Sequence, residues 1–225
     1  MHDGDVLLNI DAGELPDEPE ELYGLAHVVN VACGGHAGDA ASMQRVVALC
    51  AKSHTAVGAH PSYPDREAFG RRAMSMSPDA LLTSVAEQCD ALRRVTKDVA
   101  YVKLHGALYH AANADAAVAR AALGGARRAL GRVTVIGPAS GAIADVAREL
   151  GLPYAREGFA DRGVREDGSL VPRGEPGAMI DDPERAAARA REIVASGAVD
   201  TICVHGDGPS ALAIARAVRS ALETR

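Results

Sequence analysis

Aromatic residues are scarce in this sequence: they make up 3% of its 225 residues, and tryptophan is absent. Hydrophobic residues nevertheless account for 48% of the chain, so its core must be mainly aliphatic. Aliphatic runs are typical of parallel strands that are buried on both faces. The length predicts a single domain over residues 1–225, because barrels of this size often form one undivided unit.

Positive charge is also in deficit. The formal net charge is −6, and the basic residues form only isolated pairs such as Arg71 and Arg72. A nucleic-acid-binding surface needs a basic patch, so we expect no nucleic-acid partner. The chain has no run of about 20 apolar residues, and its first residues lack the pattern of a signal peptide. We therefore expect no membrane association.

Cysteines are few and lack metal-binding spacing. Cys33, Cys50, Cys89 and Cys203 form no C-x-x-C pair, and each lies within an apolar pattern. This favours buried, reduced thiols over a disulfide or a zinc site. A reducing cytoplasm fits these observations.

Short β-branched runs alternate with amphipathic ones along the chain. Strands are predicted at residues 6–10, 28–33, 55–59, 99–104, 133–136, 154–159 and 200–204. About seven β-then-α units are typical of a barrel or of a doubly wound open sheet. No G-x-G-x-x-G turn follows the first strand, and no phosphate-binding loop is present, which favours a seven-stranded irregular (β/α) TIM-like barrel.

Capping residues mark several helix starts. Asp39, Ser77, Asn113 and Asp182 are predicted N-caps, and further helices are predicted over residues 142–150 and from Pro209 nearly to Arg225. Residues 158–179 contain no predicted element but contain Gly163, Gly168, Gly174 and Gly177. A connection of roughly 20 residues is unusually long, which indicates a working loop or lid; a disordered excursion is the alternative.

Polar residues follow nearly every predicted strand. They include four histidines, His36, His60, His105 and His205, and several carboxylates. Loops after parallel strands open on one face, so we expect these side chains to converge on one rim. Imidazoles transfer protons near neutral pH, and carboxylates act as bases or metal ligands. The rim is therefore suited to water activation and to amide or phosphate chemistry, whereas the lack of a G-x-S-x-G elbow argues against acyl-enzyme chemistry.

The chain resembles the LamB/YcsF family, because its polar segments match long and unusual family segments and occur in the same order. The matching segments are residues 9–14 (NIDAGE), 30–39 (NVACGGHAGD), 57–65 (VGAHPSYPD), 69–72 (FGRR), 102–109 (VKLHGALY), 159–162 (FADR), 170–173 (LVPR) and 201–207 (TICVHGD). The resemblance implies a barrel of the glycoside hydrolase/deacetylase type. It also implies the A subunit of an ATP-dependent 5-oxoprolinase, which acts with partner subunits B and C to convert 5-oxo-L-proline to L-glutamate.

The chain departs from the usual family pattern at four positions. Leu7, Gly35, Leu104 and His110 stand where an Asp, an aromatic residue, a Pro and an Asn are usual. The polar positions are retained, so the departures bear on substrate fit and on the partner surface.

Roles in the implied reaction follow from residue chemistry. We expect Asp11 to be the water-activating base, oriented by Asn9, with Glu14 as a second candidate. Lys103 is expected to stabilise a developing anion, as is Arg162, which could also grip the substrate carboxylate. The predicted catalytic residues are Asp11, Glu14, His60, Lys103 and His105, and the predicted substrate-binding residues are Asn9, Asn30, His36, Asp39, Asp161, Arg162, His205 and Asp207.

A divalent metal and ATP are the two cofactors to consider. Candidate metal ligands are Asp11, His36, His60 and His105, although H-x-x-x-H and H-E-x-x-H spacings are absent. No nucleotide-binding loop is visible, so ATP is expected to be handled by the partners or in a shared site. Two local alternatives stay open, since Asp39 could only cap a helix and Asp161 could only pair with Arg162.

Two other functions stay open at this point. One is a stand-alone metal-dependent hydrolase, such as a deacetylase, on the same barrel. The other is a non-catalytic barrel that binds a small acid or scaffolds partners. The sequence also leaves open whether the chain forms a homo-oligomer.

Overall fold

Seven parallel strands form a closed barrel in the computed structural model, which describes residues 6–165 and 169–224. The strands follow chain order, and β1 closes the barrel by pairing with both β2 and β7. They are β1 Leu7–Ala12, β2 Val28–Ala32, β3 Ala56–His60, β4 Val99–Lys103, β5 Thr134–Pro138, β6 Tyr154–Phe159 and β7 Thr201–His205. The predicted TIM-like barrel is confirmed.

Helices surround the strands and bury their apolar faces against the outside of the barrel. Those of the described residues are α1 Glu21–Leu25, α2 Ala40–Ser53, α3 Pro78–Val95, α4 Gly106–Ala114, α5 Ala116–Leu130, α6 Ala142–Glu149, α7 Pro183–Ala195 and α8 Ala211–Glu223. None of them is long and apolar enough to span a membrane. All four cysteines are buried and free, as predicted.

Three of the four predicted N-caps are confirmed. The side chains of Asp39, Ser77 and Asp182 accept hydrogen bonds from the first turns of α2, α3 and α7. The prediction for Asn113 was wrong: it lies inside α4, and Asp115 caps α5 by accepting from Ala117 N. Both side chains can accept such a bond, but the break between α4 and α5 falls at Asp115, whose backbone is extended.

Alternation along the strands separates an apolar exterior from a partly polar interior. On β1, Leu8 and Ile10 pack into the main core between strands and helices, whereas Asn9 and Asp11 hydrogen-bond to other strands across the interior. A separate small cluster that includes Val28 closes the barrel interior near the strand starts. The interior therefore becomes polar toward the carboxyl ends of the strands, where loops of a (β/α) barrel carry its site.

The long segment after β6 folds back on itself. Isolated bridges join Arg162 to Met179 and Val164 to Leu170. Gly163 N also donates to Ala178 O at 3.0 Å. Residues 166–168, which include the predicted Gly168, lie outside the described residues. The described part contributes residues 170–173 to the wall of a cavity, which places this segment beside the polar interior.

Candidate functional site

A buried lysine lies at the centre of the polar interior. Lys103 Nζ, at the end of β4, lies 3.0 Å from an Asp11 oxygen, 2.9 Å from Glu157 Oε2 and 2.9 Å from Cys203 Sγ. Burial alone would lower the pKa of Lys103, but the Asp11 and Glu157 carboxylates hold it well above its usual value. The ammonium is therefore charged, and its charge is already balanced by protein groups.

Amide side chains fix the Asp11 carboxylate on its other side. Asn30 Nδ2 donates to Asp11 Oδ1 at 2.8 Å and to Asn9 Oδ1 at 2.9 Å, while Asn9 Nδ2 donates to Thr201 Oγ1 at 3.0 Å. Burial raises the pKa of Asp11, but the neighbouring His60, Lys103 and His205 together outweigh burial and hold the pKa well below its usual range. Asp11 is therefore a rigidly held carboxylate whose ionised form is favoured.

A histidine between two carboxylates adjoins Asp11. His205 Nδ1 lies 3.0 Å from Asp161 Oδ2, and His205 Nε2 lies 3.8 Å from Asp11 Oδ2. Burial alone would lower the pKa of His205, but the hydrogen-bonded Asp161 carboxylate raises it above the usual value. The imidazolium form of His205 is therefore favoured, and this form can donate a proton.

Glu14 and three histidines form a second buried group, which we call the Glu14 cluster: Glu14, His36, His60 and His105. Glu14 Oε1 lies 2.9 Å from His36 Nε2, 3.3 Å from His105 Nδ1 and 3.8 Å from His60 Nε2. The rings of His36 and His105 stack with centroids 3.6 Å apart. Gly70 allows this packing, because its φ is +66° and a side-chain carbon there would lie 2.8 Å from His36 Cβ.

Burial dominates the electrostatics of the Glu14 cluster. It raises the pKa of Glu14 to about 7. It lowers the pKa of His36 to about 3 and that of His105 to about 4, and it holds the pKa of His60 well below its usual value. These imidazoles are therefore neutral at physiological pH, where they can accept a proton or bind a metal.

The two groups adjoin one cavity of 740 Å³. Its lining includes Asp11, His60, Lys103, His105 and His205, whereas Glu14 and His36 lie behind the two histidines that face it. Among the described lining residues, Asp11 is the one carboxylate that can reach a ligand. Arg71, Arg162 and Arg173 also line the cavity, so its wall has a positive character suited to an anionic ligand.

Several predicted substrate-binding residues are engaged in shaping the rim. Asp207 pairs with Arg71 and, at 3.5 Å, with Arg173. Arg162 donates from Nε to Ala178 O at 3.1 Å and from a terminal nitrogen to Val171 O at 2.7 Å, so two of its donors hold the long segment. Asp161 pairs with His205 and not with Arg162.

Asp39 takes the capping role that the sequence left open. Its carboxylate accepts from Ser42 N at 2.8 Å in a capping box at the start of α2, and it is not among the residues that line the cavity. A substrate contact for Asp39 remains a prediction without a structural counterpart.

Gly35, which stands where the family usually has an aromatic residue, adjoins a side chain of α3. The Gln88 amide occupies the space beside Gly35, where its Oε1 accepts from Ser62 N at 3.0 Å and its Nε2 donates to Ser62 O at 2.8 Å. Any side chain at position 35 would overlap this amide. His110, by contrast, is exposed and lines the cavity.

Sequence reasoning missed two residues beside Lys103. Glu157 and Cys203 lie inside β6 and β7, and neither was predicted to belong to the site. A glutamate within a buried strand was the available signal, because Glu is almost never fully buried without a partner. Cys203 gave no such signal, since buried cysteine is common in cores.

Among the residues that the structure describes, two groups of side chains have the composition and spacing to hold a divalent metal ion. One is the Glu14 cluster, and the other is Asp11, Cys203 and His205; in each, the potential ligand atoms all lie within 4.8 Å of one another. The predicted ligands His36, His60 and His105 thus come together with Glu14, and Asp11 belongs to the second group.

Comparison with known proteins agrees with the sequence resemblance. Over residues 7–225 the chain matches the LamB/YcsF family. It is 41% identical to a protein of Methylococcus capsulatus that is named as the A subunit of 5-oxoprolinase, over 97% of this chain and 92% of that protein. It is 42% identical to a Streptomyces avermitilis protein of the same name, over 96% and 95% of the two chains.

Solved structures extend the comparison to the fold. The crystal structure of a lactam utilization protein from Thermus thermophilus matches with a TM-score of 0.89 and 35% identity, over 97% of this chain and 96% of that one. The catalytic domain of a peptidoglycan N-acetylglucosamine deacetylase from Eubacterium rectale matches with a TM-score of 0.52 and 12% identity, which shows a shared fold alone. On the full-length match in sequence and in structure, the chain belongs to the LamB/YcsF family.

Proposed function

We propose that this chain is the A subunit of an ATP-dependent 5-oxoprolinase, which hydrolyses 5-oxo-L-proline to L-glutamate together with subunits B and C. The observation that carries the proposal is the near-full-length identity to proteins that are named as this subunit of 5-oxoprolinase. The site supports it, because an ionised Asp11 and a protonated His205 lie 3.8 Å apart at one cavity wall. Hydrolysis of an amide needs both a group that attracts the water proton and a group that protonates the leaving nitrogen.

The substrate is a five-membered lactam, whose amide resonance resists attack by water. Phosphorylation of the lactam oxygen by ATP removes that resonance and activates the ring carbon. ADP leaves in that phosphorylation, water then adds to the activated carbon, and the ring C–N bond breaks as the nitrogen takes up a proton. The acyl phosphate that results is hydrolysed by a second water, which releases phosphate and L-glutamate. This sequence explains why hydrolysis is coupled to ATP.

Asp11 holds the attacking water in this scheme and accepts its proton as the new C–O bond forms. The carboxylate is fixed by Asn30 at 2.8 Å and by Lys103 at 3.0 Å, so it is oriented before the substrate arrives. Its low pKa makes it a weak base, and its main contribution is therefore orientation and negative charge beside the water. Glu14 does not line the cavity and supports the site from behind.

His205 protonates the leaving nitrogen. Asp161 holds its ring through Nδ1 at 3.0 Å, which leaves Nε2–H directed toward Asp11 and the cavity. Arg173, which also lines the cavity, binds the substrate carboxylate; its partner Asp207 lies at 3.5 Å and fixes its position. A divalent ion bound beside the cavity would supply Lewis-acid polarisation of an oxygen.

ATP is handled at a site shared with the partner subunits in this proposal. The positively charged arginines that line the cavity support phosphate binding at its mouth. The protein acts in the cytoplasm, and its four free, buried thiols are consistent with a reducing compartment.

The test is glutamate release from 5-oxoproline by the chain combined with purified subunits B and C. We expect release that requires ATP and all three subunits. The proposal is rejected if the complete mixture releases no glutamate, or if omitting this chain leaves the rate unchanged. Amide hydrolysis by the chain alone without ATP would instead support the stand-alone hydrolase.

A further inference from the structure

Two histidines of the Glu14 cluster face each other with no proton between them. His60 Nδ1 lies 2.8 Å from the carbonyl oxygen of Lys103, and His105 Nε2 lies 2.9 Å from that of Phe69. A carbonyl only accepts, so both of these nitrogens carry the ring proton. A neutral imidazole has one such proton, and therefore His60 Nε2 and His105 Nδ1 meet lone pair to lone pair at 3.0 Å.

The backbone enforces this arrangement. Phe69 has a φ of +54°, in the left-handed region that a bulky residue rarely adopts, and its carbonyl is the one that fixes the His105 ring. Backbone strain of this kind persists where the surrounding structure holds it, commonly at functional sites. Backbone carbonyls that accept from the outer nitrogen of a histidine are also the usual support of a metal ligand.

Glu14 completes a triangle of ligand atoms. Glu14 Oε1 lies 3.3 Å from His105 Nδ1 and 3.8 Å from His60 Nε2, and the third side is the 3.0 Å between the two ring nitrogens. Ligand atoms around a tetrahedral zinc ion, at bond lengths of roughly 2.0–2.1 Å, lie about 3.3–3.4 Å apart. The three observed distances bracket this spacing, so one ion fits between the three atoms.

His36 does not share this centre. The His36 ring is parallel to that of His105 within 1°, and the two ring centroids lie 3.6 Å apart. The lone pairs of the two rings therefore lie in separate parallel planes and do not converge on one ion. Its Nε2 lies 2.9 Å from Glu14 Oε1 and can donate to it, which orients the carboxylate. His36 therefore acts through Glu14 as a positioning residue.

The other candidate group already holds a cation. Lys103 Nζ lies 2.9 Å from Cys203 Sγ and 3.0 Å from an Asp11 oxygen, so a metal ion bound to both residues would compete with the ammonium. Glu14, by contrast, has no lysine or arginine partner among residues 6–165 and 169–224, and its Oε2 is buried without a hydrogen-bond partner. Of the two candidate metal-binding groups, the Glu14 cluster is thus the one whose carboxylate has no lysine or arginine partner among the described residues.

We propose that Glu14 Oε1, His60 Nε2 and His105 Nδ1 bind one zinc-type divalent ion, with His36 positioning Glu14 and a fourth coordination position open toward the cavity. Two imidazoles and one carboxylate suit zinc and similar transition metals, whereas magnesium prefers octahedral oxygen ligands. His60 and His105 both line the cavity, so an ion here borders the space that a substrate would occupy. The proposal does not depend on the proposed reaction, because the chain alone suffices to test it.

The first experiment measures zinc binding to the chelator-treated chain by calorimetry and by elemental analysis. We expect one zinc ion per chain, unaffected by excess magnesium. Glu14→Gln, His60→Gln and His105→Gln should each lose the ion, while His36→Gln should keep the stoichiometry but weaken binding by about 10- to 100-fold. His54→Asn is the matched control, because His54 is exposed at the end of α2, in a left-handed conformation that Asn tolerates.

A second measurement on the unaltered chain removes any dependence on variants that fold poorly. Cobalt substituted for zinc should give the visible absorption of a four-coordinate site with nitrogen and oxygen ligands. A thiolate-to-cobalt charge-transfer band would place the ion at Cys203 and overturn the proposal. So would the absence of stoichiometric zinc, or retention of zinc by well-folded Glu14→Gln and His105→Gln chains.

Discussion

Asp11 and Glu14 are buried carboxylates only three positions apart, yet the barrel gives them opposite electrostatic surroundings. Asp11 lies on β1 with the Lys103 ammonium at 3.0 Å, and its pKa is held well below the usual range. Glu14 follows the strand, faces neutral imidazoles, and has its pKa raised to about 7 by burial. Burial penalises both anions, so the neighbouring groups, which include the Lys103 ammonium beside Asp11, decide which carboxylate stays charged.

The largest expected effect separates the two carboxylates by function. Asp11→Asn keeps the shape of the side chain but removes the charge that faces the cavity. We expect ATP-coupled glutamate release by the assembled complex to fall by about 10²- to 10⁴-fold, the usual contribution of a positioned acid–base group. Asp115→Asn, which alters a helix cap away from the cavity, should retain full activity. Unchanged turnover in a folded Asp11→Asn protein would refute the role of Asp11.

Removal of the Lys103 ammonium should destabilise the surroundings of Asp11. Lys103→Met leaves Asp11 and Glu157 buried without their shared partner, and breaking a buried ion pair costs about 3–5 kcal/mol. The free energy of unfolding in urea should fall by that amount. Lys52→Met, at an exposed position of α2, is the control and should change stability by less than about 0.5 kcal/mol. A loss below about 1 kcal/mol for Lys103→Met would contradict the comparison.

Replacement of Asp11 and Glu14 by the neutral amides Asn and Gln should change the free energy of unfolding in opposite directions. In the chelator-treated chain at pH 8, Asp11→Asn should lower the free energy of unfolding by about 1–3 kcal/mol, because it removes a hydrogen-bonded charge. Glu14→Gln should raise it by about 1 kcal/mol, because the new amide can donate to His105 Nδ1. Changes of the same sign at both positions would show that the two surroundings are alike.

The difference in the free energy of unfolding between Glu14→Gln and the unaltered chain should also depend on pH. The pKa of Glu14 is raised in the folded state, so its protonated form contributes stability below its ordinary pKa. That contribution is lost as pH rises through about 7. The stability gap between Glu14→Gln and the unaltered chain should therefore widen from pH 6 to pH 8, as measured by urea unfolding at each pH.

The smallest expected effect is a shift in the pH profile of turnover. His205 must be protonated to serve as the acid, and Asp161 raises its pKa above the usual value. Turnover should therefore decline only on the alkaline side of the ordinary imidazole range. Asp161→Asn, which keeps the ring contact without the charge, should move this decline to lower pH. An unmoved profile would exclude His205 as the titrating group.

The sequence predicted the architecture and the gathering of polar side chains at the carboxyl ends of the strands, because both follow from local patterns. Apolar runs separated by capped helices identified all seven strands, and the polar residues after the strands predicted that the histidines converge; His60, His105 and His205 line one cavity. The first strand was predicted to end at residue 10, but it continues to Ala12. Asp11 therefore projects from the rigid strand into the barrel interior.

Pairings between distant residues could not be predicted in the same way. Lys103 was expected to stabilise a developing anion, but its neighbours Glu157 and Cys203, which are brought beside it by β6 and β7, were not predicted. Arg162 was expected to contact substrate, yet two of its donors hold carbonyls of the long segment. Such partners depend on barrel register, which brings together residues that lie far apart along the chain.

Glu18 has a consequence for how the protein can change. Its carboxylate accepts from the backbone N–H groups of Gly13, Glu14 and Leu15 at 2.7, 2.7 and 2.9 Å, and from the Tyr23 hydroxyl at 2.8 Å. A single side chain thus anchors the short turn that carries Glu14, while Asp11 depends on the sheet. Substitutions at position 18 can therefore change the position of the Glu14 carboxylate while leaving that of Asp11 unchanged. The turn that carries Glu14 can thus vary independently of the barrel strands.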